Sequence, residues 1–324
     1  MKKIPNRQVH LDFHTSEMID QVGSKFSAEE FADTLKNANV EAVTLFTRCH
    51  HGNLYYDSTK YPERIHPHLK VKDMYREQAK ECRKKGIKVY LYTTICWDIR
   101  VAAEHPEWVA IDDYARISRR ETGNIFEDPG FHVDLCINSP YREFCKEQIA
   151  DALENCPVDG VLVDASFVVE CCCPRCRKSM LEKHLNPADP QDRKKHAWQI
   201  YYDFVREMTD YLHEIDSDYD IFFNKGHVGA QDIPVRDCFD YVAVESQPAN
   251  CGYMDFPVSA RYLRTWGVPV VGMTGRFLTG WGDNNSYRNQ AALEYESFSA
   301  LSYGGLCNIG DQLPPSGQLD KDMY

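Results

Sequence analysis

Two carboxylates in this chain each close a strongly apolar run. Asp164 ends Val158-Asp159-Gly160-Val161-Leu162-Val163, and Glu245 ends Tyr241-Val242-Ala243-Val244. Consecutive branched aliphatics read as a strand buried on both faces, which belongs to a parallel sheet covered by helices. A carboxylate at the carboxyl end of such a strand stands at the rim where barrel enzymes keep their chemistry. Two carboxylates at one rim suit glycoside hydrolysis with retention, which needs a nucleophile and an acid/base about 5–5.5 Å apart. The structural alternatives are a helix N-cap or a salt-bridged Asp at position 164, and an ion pair of Glu245 with Arg261 or Arg276. Glu17, Asp98 and Asp311 compete with Glu245 for the acid/base role.

Other strand ends carry polar and aromatic side chains: His14; Arg48, His50 and His51; Trp97 and Asp98; Asn224 and Lys225; Arg276, with Trp281 in its loop; and Asp311. Converging on one rim, this mixture has the chemistry of a sugar site. Planar hydrogen-bonding groups meet hydroxyls edge-on, and the C–H face of a sugar ring stacks on Trp or Tyr. A metal at His14, His50 or His51 is an alternative. Adjacent histidines in one strand point to opposite faces, however, which disfavours joint ligation by His50 and His51.

A second cluster is Cys171-Cys172-Cys173-Pro174-Arg175-Cys176, with Cys136 upstream. Cys171, Cys173 and Cys176 form a C-x-C-x-x-C pattern with knuckle spacing, and Cys136 could complete four thiolates around zinc. Four cysteines would make that a closed structural site. The alternative is reduced surface thiols in a loop.

These residues need a frame, and the chain alternates short apolar runs with longer amphipathic ones. Strands are expected at 8–14, 40–46, 87–94, 160–164, 220–224, 241–245, 268–273 and 306–310. Helices are expected at 27–37, opened by a capping box of Ser27 and Glu30, and at 71–85, stopped by Gly86. Further helices are expected at 140–155 behind Ser139 and Pro140, 195–215, 257–266 and 289–303. Eight strands in strict alternation point to a closed parallel (β/α)8 barrel, with a doubly wound open sheet as the runner-up. No eighth helix follows the eighth strand. We expect a single domain over 1–324, with a Cys-rich loop insertion at about 165–195.

Composition bounds the function. The 324 residues suffice for one such barrel. A net charge of −12 argues against nucleic acid as partner and fits a neutral substrate. No run is long and apolar enough to span a bilayer, and the start of the chain has no apolar signal core. Thirteen cysteines, an odd number and scattered, suit thiols that are reduced or metal-bound in the cytoplasm. A homo-oligomer is left open.

The stretch Val43-Thr44-Leu45-Phe46-Thr47-Arg48-Cys49-His50-His51-Gly52, with Tyr56-Asp57-Ser58 after it, resembles the His-His-Asp-Gly-Phe segment of α-L-fucosidases. The run ending at Asp164 resembles the strand carrying that family's nucleophile. His10–Glu17, Cys136–Arg142, Gly272–Phe277 and Ile309–Leu313 resemble a fucosidase-related group of glycoside hydrolases. The resemblance spans nearly the whole chain. It implies a (β/α)8 barrel, a retaining double displacement with no catalytic cofactor, and an oligosaccharide or glycoside substrate, most of all an α-L-fucoside. It makes Asp164 the nucleophile, and it has His50 and His51 contact sugar hydroxyls, joined by His14, Trp97 and Arg276. It leaves the acid/base open, so Glu245 rests on position, as do Asn224 and Trp281. The chain departs from the family pattern at Asn53 and Leu54. The four cysteines also resemble the zinc knot of one β-galactosidase family. A galactosidase-type hydrolase and a non-catalytic carbohydrate-binding barrel are the rival readings.

Overall fold

The computed structural model describes residues 3–119, 131–283 and 286–324. All eight expected strands form: β1 Arg7–Asp12, β2 Ala42–Phe46, β3 Lys88–Thr94, β4 Gly160–Asp164, β5 Asp220–Phe223, β6 Val242–Glu245, β7 Val270–Gly275 and β8 Leu306–Gln312. They pair in parallel in the order β5-β4-β3-β2-β1-β8-β7-β6. The runner-up open sheet is thereby set aside. The gap between β5 and β6 is bridged by Asp240, whose backbone N–H donates to the Ile221 carbonyl at 3.1 Å and whose carboxylate accepts from the Ile221 N–H at 2.9 Å. The result is a nearly closed (β/α)8 barrel.

The helices are α1 Ala28–Asn37, α2 Met74–Lys84, α3 Ile99–Glu104, α4 Tyr141–Leu153, α5 Pro174–Glu182, α6 Pro190–Ile215, α7 Pro248–Cys251, α8 Asp255–Leu263 and α9 Gln290–Ser302. Helices α3, α5 and α7 were not expected; each is short, and its turn signals dominate its periodicity. The capping box is half formed. Ser27 Oγ accepts from the Glu30 N–H at 3.4 Å, but the Glu30 carboxylate turns outward to Lys321 at 2.8 Å instead of returning to Ser27. No helix is described after β8. Residues 313–324 run back toward α1 instead, held by Gly23 N–H to Pro315 O and Lys25 N–H to Ser316 O, both 2.8 Å. Among the described residues, no helix is long and apolar enough to cross a membrane.

The barrel interior is filled by alternate residues of each strand, as the two-residue period requires. At the amino ends these are polar and bond to one another, although Asn308 Oδ1 has no partner among the described residues. The Tyr90 hydroxyl donates to Asp220 at 3.1 Å, Lys88 pairs with Asp220 at 3.2 Å, and the Asn308 amide reaches Gln8 at 3.4 Å. Above them Phe46 stacks flat on Tyr92, with ring centroids 3.6 Å apart. The carboxyl ends are where space opens.

Candidate active site

A cleft of about 950 Å³ occupies the carboxyl ends of the strands. Seven of the expected site residues line it: His14, His50, Trp97, Asp164, Asn224, Glu245 and Trp281. Asp164 is the last residue of β4, and Ala165 follows in the left-handed region at φ +50°, a costly backbone for a residue with a Cβ. The turn redirects the chain from the strand into the rim. Cys96 N–H to Ala165 O at 3.1 Å and Ser166 N–H to Asn224 O at 2.9 Å hold it.

Around Asp164 the hydrogen bonds are directional. The Tyr92 hydroxyl donates to Oδ2 at 2.6 Å, and the Asn224 amide donates to Oδ1 at 2.8 Å. His50 Nε2 lies 3.0 Å from the Tyr92 hydroxyl and 3.7 Å from Oδ2. Because that hydroxyl gives its proton to Asp164, His50 Nε2 carries hydrogen and donates to the hydroxyl oxygen. Burial works against ionisation of Asp164, but the His50 ring and the Tyr92 hydroxyl outweigh it and hold the carboxyl below its ordinary range.

Glu245 experiences the opposite balance. Burial, then the charge of Asp164, push its carboxyl up to about 7, against a single weak donor, the Asn224 amide at 3.4 Å. One amide nitrogen therefore faces both carboxylates, at 2.8 Å from Asp164 and 3.4 Å from Glu245. Two oxygens sharing that nitrogen are at most about 6 Å apart, near the spacing of retaining glycosidases and short of the wider inverting one. The amide is oriented by its other end, since Asn224 Oδ1 accepts from the Gly226 N–H at 3.1 Å. Neither expected arginine partner reaches Glu245. Arg261 stacks over Tyr303 and donates to the Pro257 carbonyl, while Arg276 pairs with Asp311 at 3.2 Å and Asp320 at 3.3 Å.

That placement corrects one expectation. Arg276 does not line the cleft: its guanidinium is consumed by Asp311 and Asp320 and lies over the Tyr287 ring. His51 also lies outside the lining, with its ring 5.0 Å from Phe131. The rival acids are occupied or remote. Asp98 caps α3 through the Val101 N–H at 2.8 Å and pairs with Arg48 at 2.7 Å, both side chains fully buried. Asp311, pushed up to about 6 mainly by burial, accepts from the Tyr324 hydroxyl. Glu17 is exposed. Among the described residues, the histidines do not join a set of three or more converging ligand atoms. His14, packed 4.2 Å from the His50 ring, is held well below its ordinary value by burial and then by its histidine neighbours.

Several cleft residues were not anticipated. His10 and Asp12 stand two apart on β1, 3.2 Å from each other, and both line the cleft. Tyr92 supplies the hydroxyl that Asp164 accepts, and Phe131, His132 and Phe167 join Trp97 in an aromatic wall. The alternation of inward positions back from Asp164 and Glu245 would have pointed to His10, Asp12 and Tyr92. Trp281 reaches down beside His10, ring centroids 5.6 Å apart, because Gly310 below it has no side chain; a Cβ there would collide with the indole.

The four thiols gather on one side of the barrel. Cys136, Cys171, Cys173 and Cys176 are buried, and their sulfurs all lie within 4.8 Å of one another. Cys136 Sγ is 3.5 Å from Cys176 Sγ and 3.9 Å from Cys173 Sγ. The edge of a zinc–thiolate tetrahedron with bonds of about 2.3 Å is about 3.8 Å, so the set fits zinc. The Cys173 N–H at 3.4 Å and the Asn138 amide at 3.5 Å point at Cys171 and Cys176 sulfur, as suits thiolates. Among the described residues no other set of ligand atoms converges in this way.

Comparison with known proteins places the chain. The profile of a family described as hypothetical glycosyl hydrolase 6 matches residues 27–165. The α-L-fucosidase isoenzyme 2 of Paenibacillus thiaminolyticus is 34% identical, with a TM-score of 0.91, over 99% of this chain and 48% of that one. A β-galactosidase from the psychrophilic Marinomonas ef1 shares the fold at a TM-score of 0.67 and 14% identity, over 95% of this chain and 54% of that one. The glycoside hydrolase domain of PgaB from Bordetella bronchiseptica does so at 0.64 and 15%, over 96% and 94%. No curated protein matches in sequence. The chain resembles an α-L-fucosidase along almost its entire length and spans about half the length of that protein.

Proposed function

We propose that this α-L-fucosidase-like barrel is a retaining exo-glycoside hydrolase that removes terminal α-L-fucose by double displacement. The observation that carries the reading is the pair of carboxylates sharing the Asn224 amide, with Asp164 held ionised and Glu245 pushed up to about 7. Two acids driven apart in this way are suited to opposite roles. Asp164 attacks the anomeric carbon as the bond to the leaving oxygen breaks, and Glu245 gives that oxygen its proton. A glycosyl ester on Asp164 results. Glu245, now a carboxylate, takes a proton from water, and the resulting hydroxide displaces Asp164.

The remaining cleft residues bind and orient. His50 and Tyr92 keep Asp164 charged, and Asn224 steadies both carboxylates. His14, Trp97 and Trp281 contact the sugar, whose hydroxyls meet imidazole edges and whose C–H faces meet indole. We also assign one zinc to Cys136, Cys171, Cys173 and Cys176. Four thiolates fill its coordination shell, so it has a structural role and leaves no open position for substrate.

The test is hydrolysis of a panel of nitrophenyl glycosides, α-L-fucoside first, by the wild-type chain and Asp164→Asn in parallel. The expected outcome is release from the fucoside by wild type and a loss of at least about 10⁴-fold in kcat/KM for a folded Asp164→Asn. Near wild-type turnover by that variant removes Asp164 from the chemistry. Release from the β-D-galactoside instead moves the specificity to the galactosidase type, and silence across the panel in a folded chain favours a carbohydrate-binding barrel.

A further inference from the structure

The four thiols come from two segments, and each segment also holds one side of the aromatic wall. Cys136 follows a stretch that lies antiparallel to the chain at Trp97, with a bridge between Trp97 and Asp134. Within it the Trp97 indole N–H donates to Asp134 at 3.0 Å, the Ser118 hydroxyl donates to the same carboxylate at 2.7 Å, and the Leu135 N–H donates to Cys96 O at 2.8 Å. The other three thiols follow β4. Between Asp164 and Cys171 the chain carries Phe167, whose ring packs 4.6 Å from Trp97 and whose carbonyl faces the Cys96 thiol at 3.7 Å. Trp97 in turn stands edge-on to His50, centroids 5.0 Å apart.

Trp97 and Phe167 thus sit on two loops. One is tied to the knot two residues beyond Asp134, the other four residues beyond Phe167. Loops at a barrel rim move unless something fixes them. We infer that the knot of Cys136, Cys171, Cys173 and Cys176 is a positioning device, fixing Trp97 and Phe167 as one wall against which the terminal sugar packs. This rests on the zinc reading given above and adds to it a function in the cleft. The cysteines are positioning residues: they act through Trp97 and touch no substrate. Zinc binding releases thiol protons and changes no oxidation state, so no further reactant is needed.

The whole chain, purified under reductant, is assayed for bound metal, stripped with a chelator under reductant, and reloaded with Co²⁺. Three readouts run together. They are the visible absorption of tetrahedral thiolate-bound Co²⁺, the tryptophan signal assigned to Trp97 by difference from Trp97→Phe, and KM and kcat on the nitrophenyl α-L-fucoside. We expect one metal per chain, and a stripped chain that keeps its far-ultraviolet circular dichroism but loses the Trp97 signal. KM should rise about tenfold or more while kcat changes by less than about threefold, and Co²⁺ should restore both. Cys172→Ser, whose thiol is outside the cluster, should behave as wild type.

Asp134→Ala keeps every ligand but cuts the tether to Trp97. It should retain the metal while losing the Trp97 signal and raising KM, and it decides the matter if Cys136→Ser or the stripped chain unfolds. An unchanged Trp97 signal and KM after metal release, or in Asp134→Ala, overturns the inference. Failure of the reduced chain to take up zinc or Co²⁺ overturns the zinc reading and this inference together. If the chain proves inactive on the fucoside, the metal and Trp97 readouts still decide the positioning role.

Discussion

The two ends of this barrel are built from similar materials and differ in how far they are satisfied. At the amino ends, Tyr90, Asp220, Lys88, Gln8 and Asn308 fill the interior and bond to one another. At the carboxyl ends, Tyr92, Asp164, Asn224 and Glu245 are as polar, but the last three border a cleft and two carboxylates are held against one amide. Among the described residues, the buried Nδ1 atoms of His10 and His50 there have no hydrogen-bond partner, against the single Asn308 Oδ1 in the amino-end layer. A polar layer that is largely paired within itself and closed off from the cleft stabilises the fold. One left with spare acceptors and a carboxyl pushed to about 7, at the edge of a cleft, is poised for a ligand to complete it. The same register therefore serves structure at one end and, in the function proposed above, chemistry at the other.

The largest effect that would sharpen this contrast is expected at Glu245. Glu245→Gln should lower kcat/KM about 10³-fold on glycosides with poor leaving groups, as befits loss of a general acid. In the mechanism proposed above, Glu245 must hold its proton for the first step. kcat/KM should therefore be flat below about pH 7 and fall tenfold per unit above it. The acid limb should lie below the usual carboxylate range, because Asp164 is held down. In Glu245→Gln the alkaline limb should vanish; its persistence near 7 would place the acid elsewhere. Stability carries the same sign. A carboxyl whose folded value is raised binds more protons when folded, so its contribution is present below its unfolded value and is lost as pH rises through about 7. Thermal melts of the Gln variant should accordingly be flatter between pH 5 and 8.

A smaller loss is expected at Tyr92. Tyr92→Phe keeps the stack on Phe46 and removes the hydroxyl that serves Asp164 and His50. A hydrogen bond to a charged group contributes about 1.5–3 kcal/mol, so kcat/KM should fall about 10- to 100-fold and the acid limb should move up. A pH profile with its acid limb unmoved would mean that Asp164 owes its ionisation to other groups.

Much of this layout was legible in the sequence. All eight strands were, because short apolar runs alternate with longer amphipathic ones along the chain, and Asp164 and Glu245 were, because each closes an unbroken aliphatic run. What escaped has physical causes. Tyr92 and His10 lie inside strands, where an aromatic reads as core filling; only the register shows that they share the interior with Asp164. Arg276 sits at a rim position, as the pattern implied, but which carboxylate claims a guanidinium is a tertiary matter, and Asp311 and Asp320 claim this one. The four thiols, by contrast, were legible: the C-x-C-x-x-C spacing announced three and Cys136 was named as the fourth, and the stretch before α4 folds back beside α5 to bring its sulfur to theirs.

The smallest expected effect is the control that gives the comparison its meaning. Tyr90 lies two residues before Tyr92 on β3 and also donates its hydroxyl to an aspartate, at the other end of the barrel. Tyr90→Phe leaves the ring packed against Tyr241 and takes one donor from Asp220, which keeps Lys88 at 3.2 Å. The chain should lose about 1–2 kcal/mol of stability, the cost of a buried acceptor losing a partner. Its kcat/KM should stay within about twofold of wild type, because nothing at this end faces the cleft. Urea unfolding and fucoside kinetics on the same preparation measure both. A large loss of activity without a loss of stability would mean that the two polar layers act as one, and the division of the barrel into a satisfied end and a poised end would have to be abandoned.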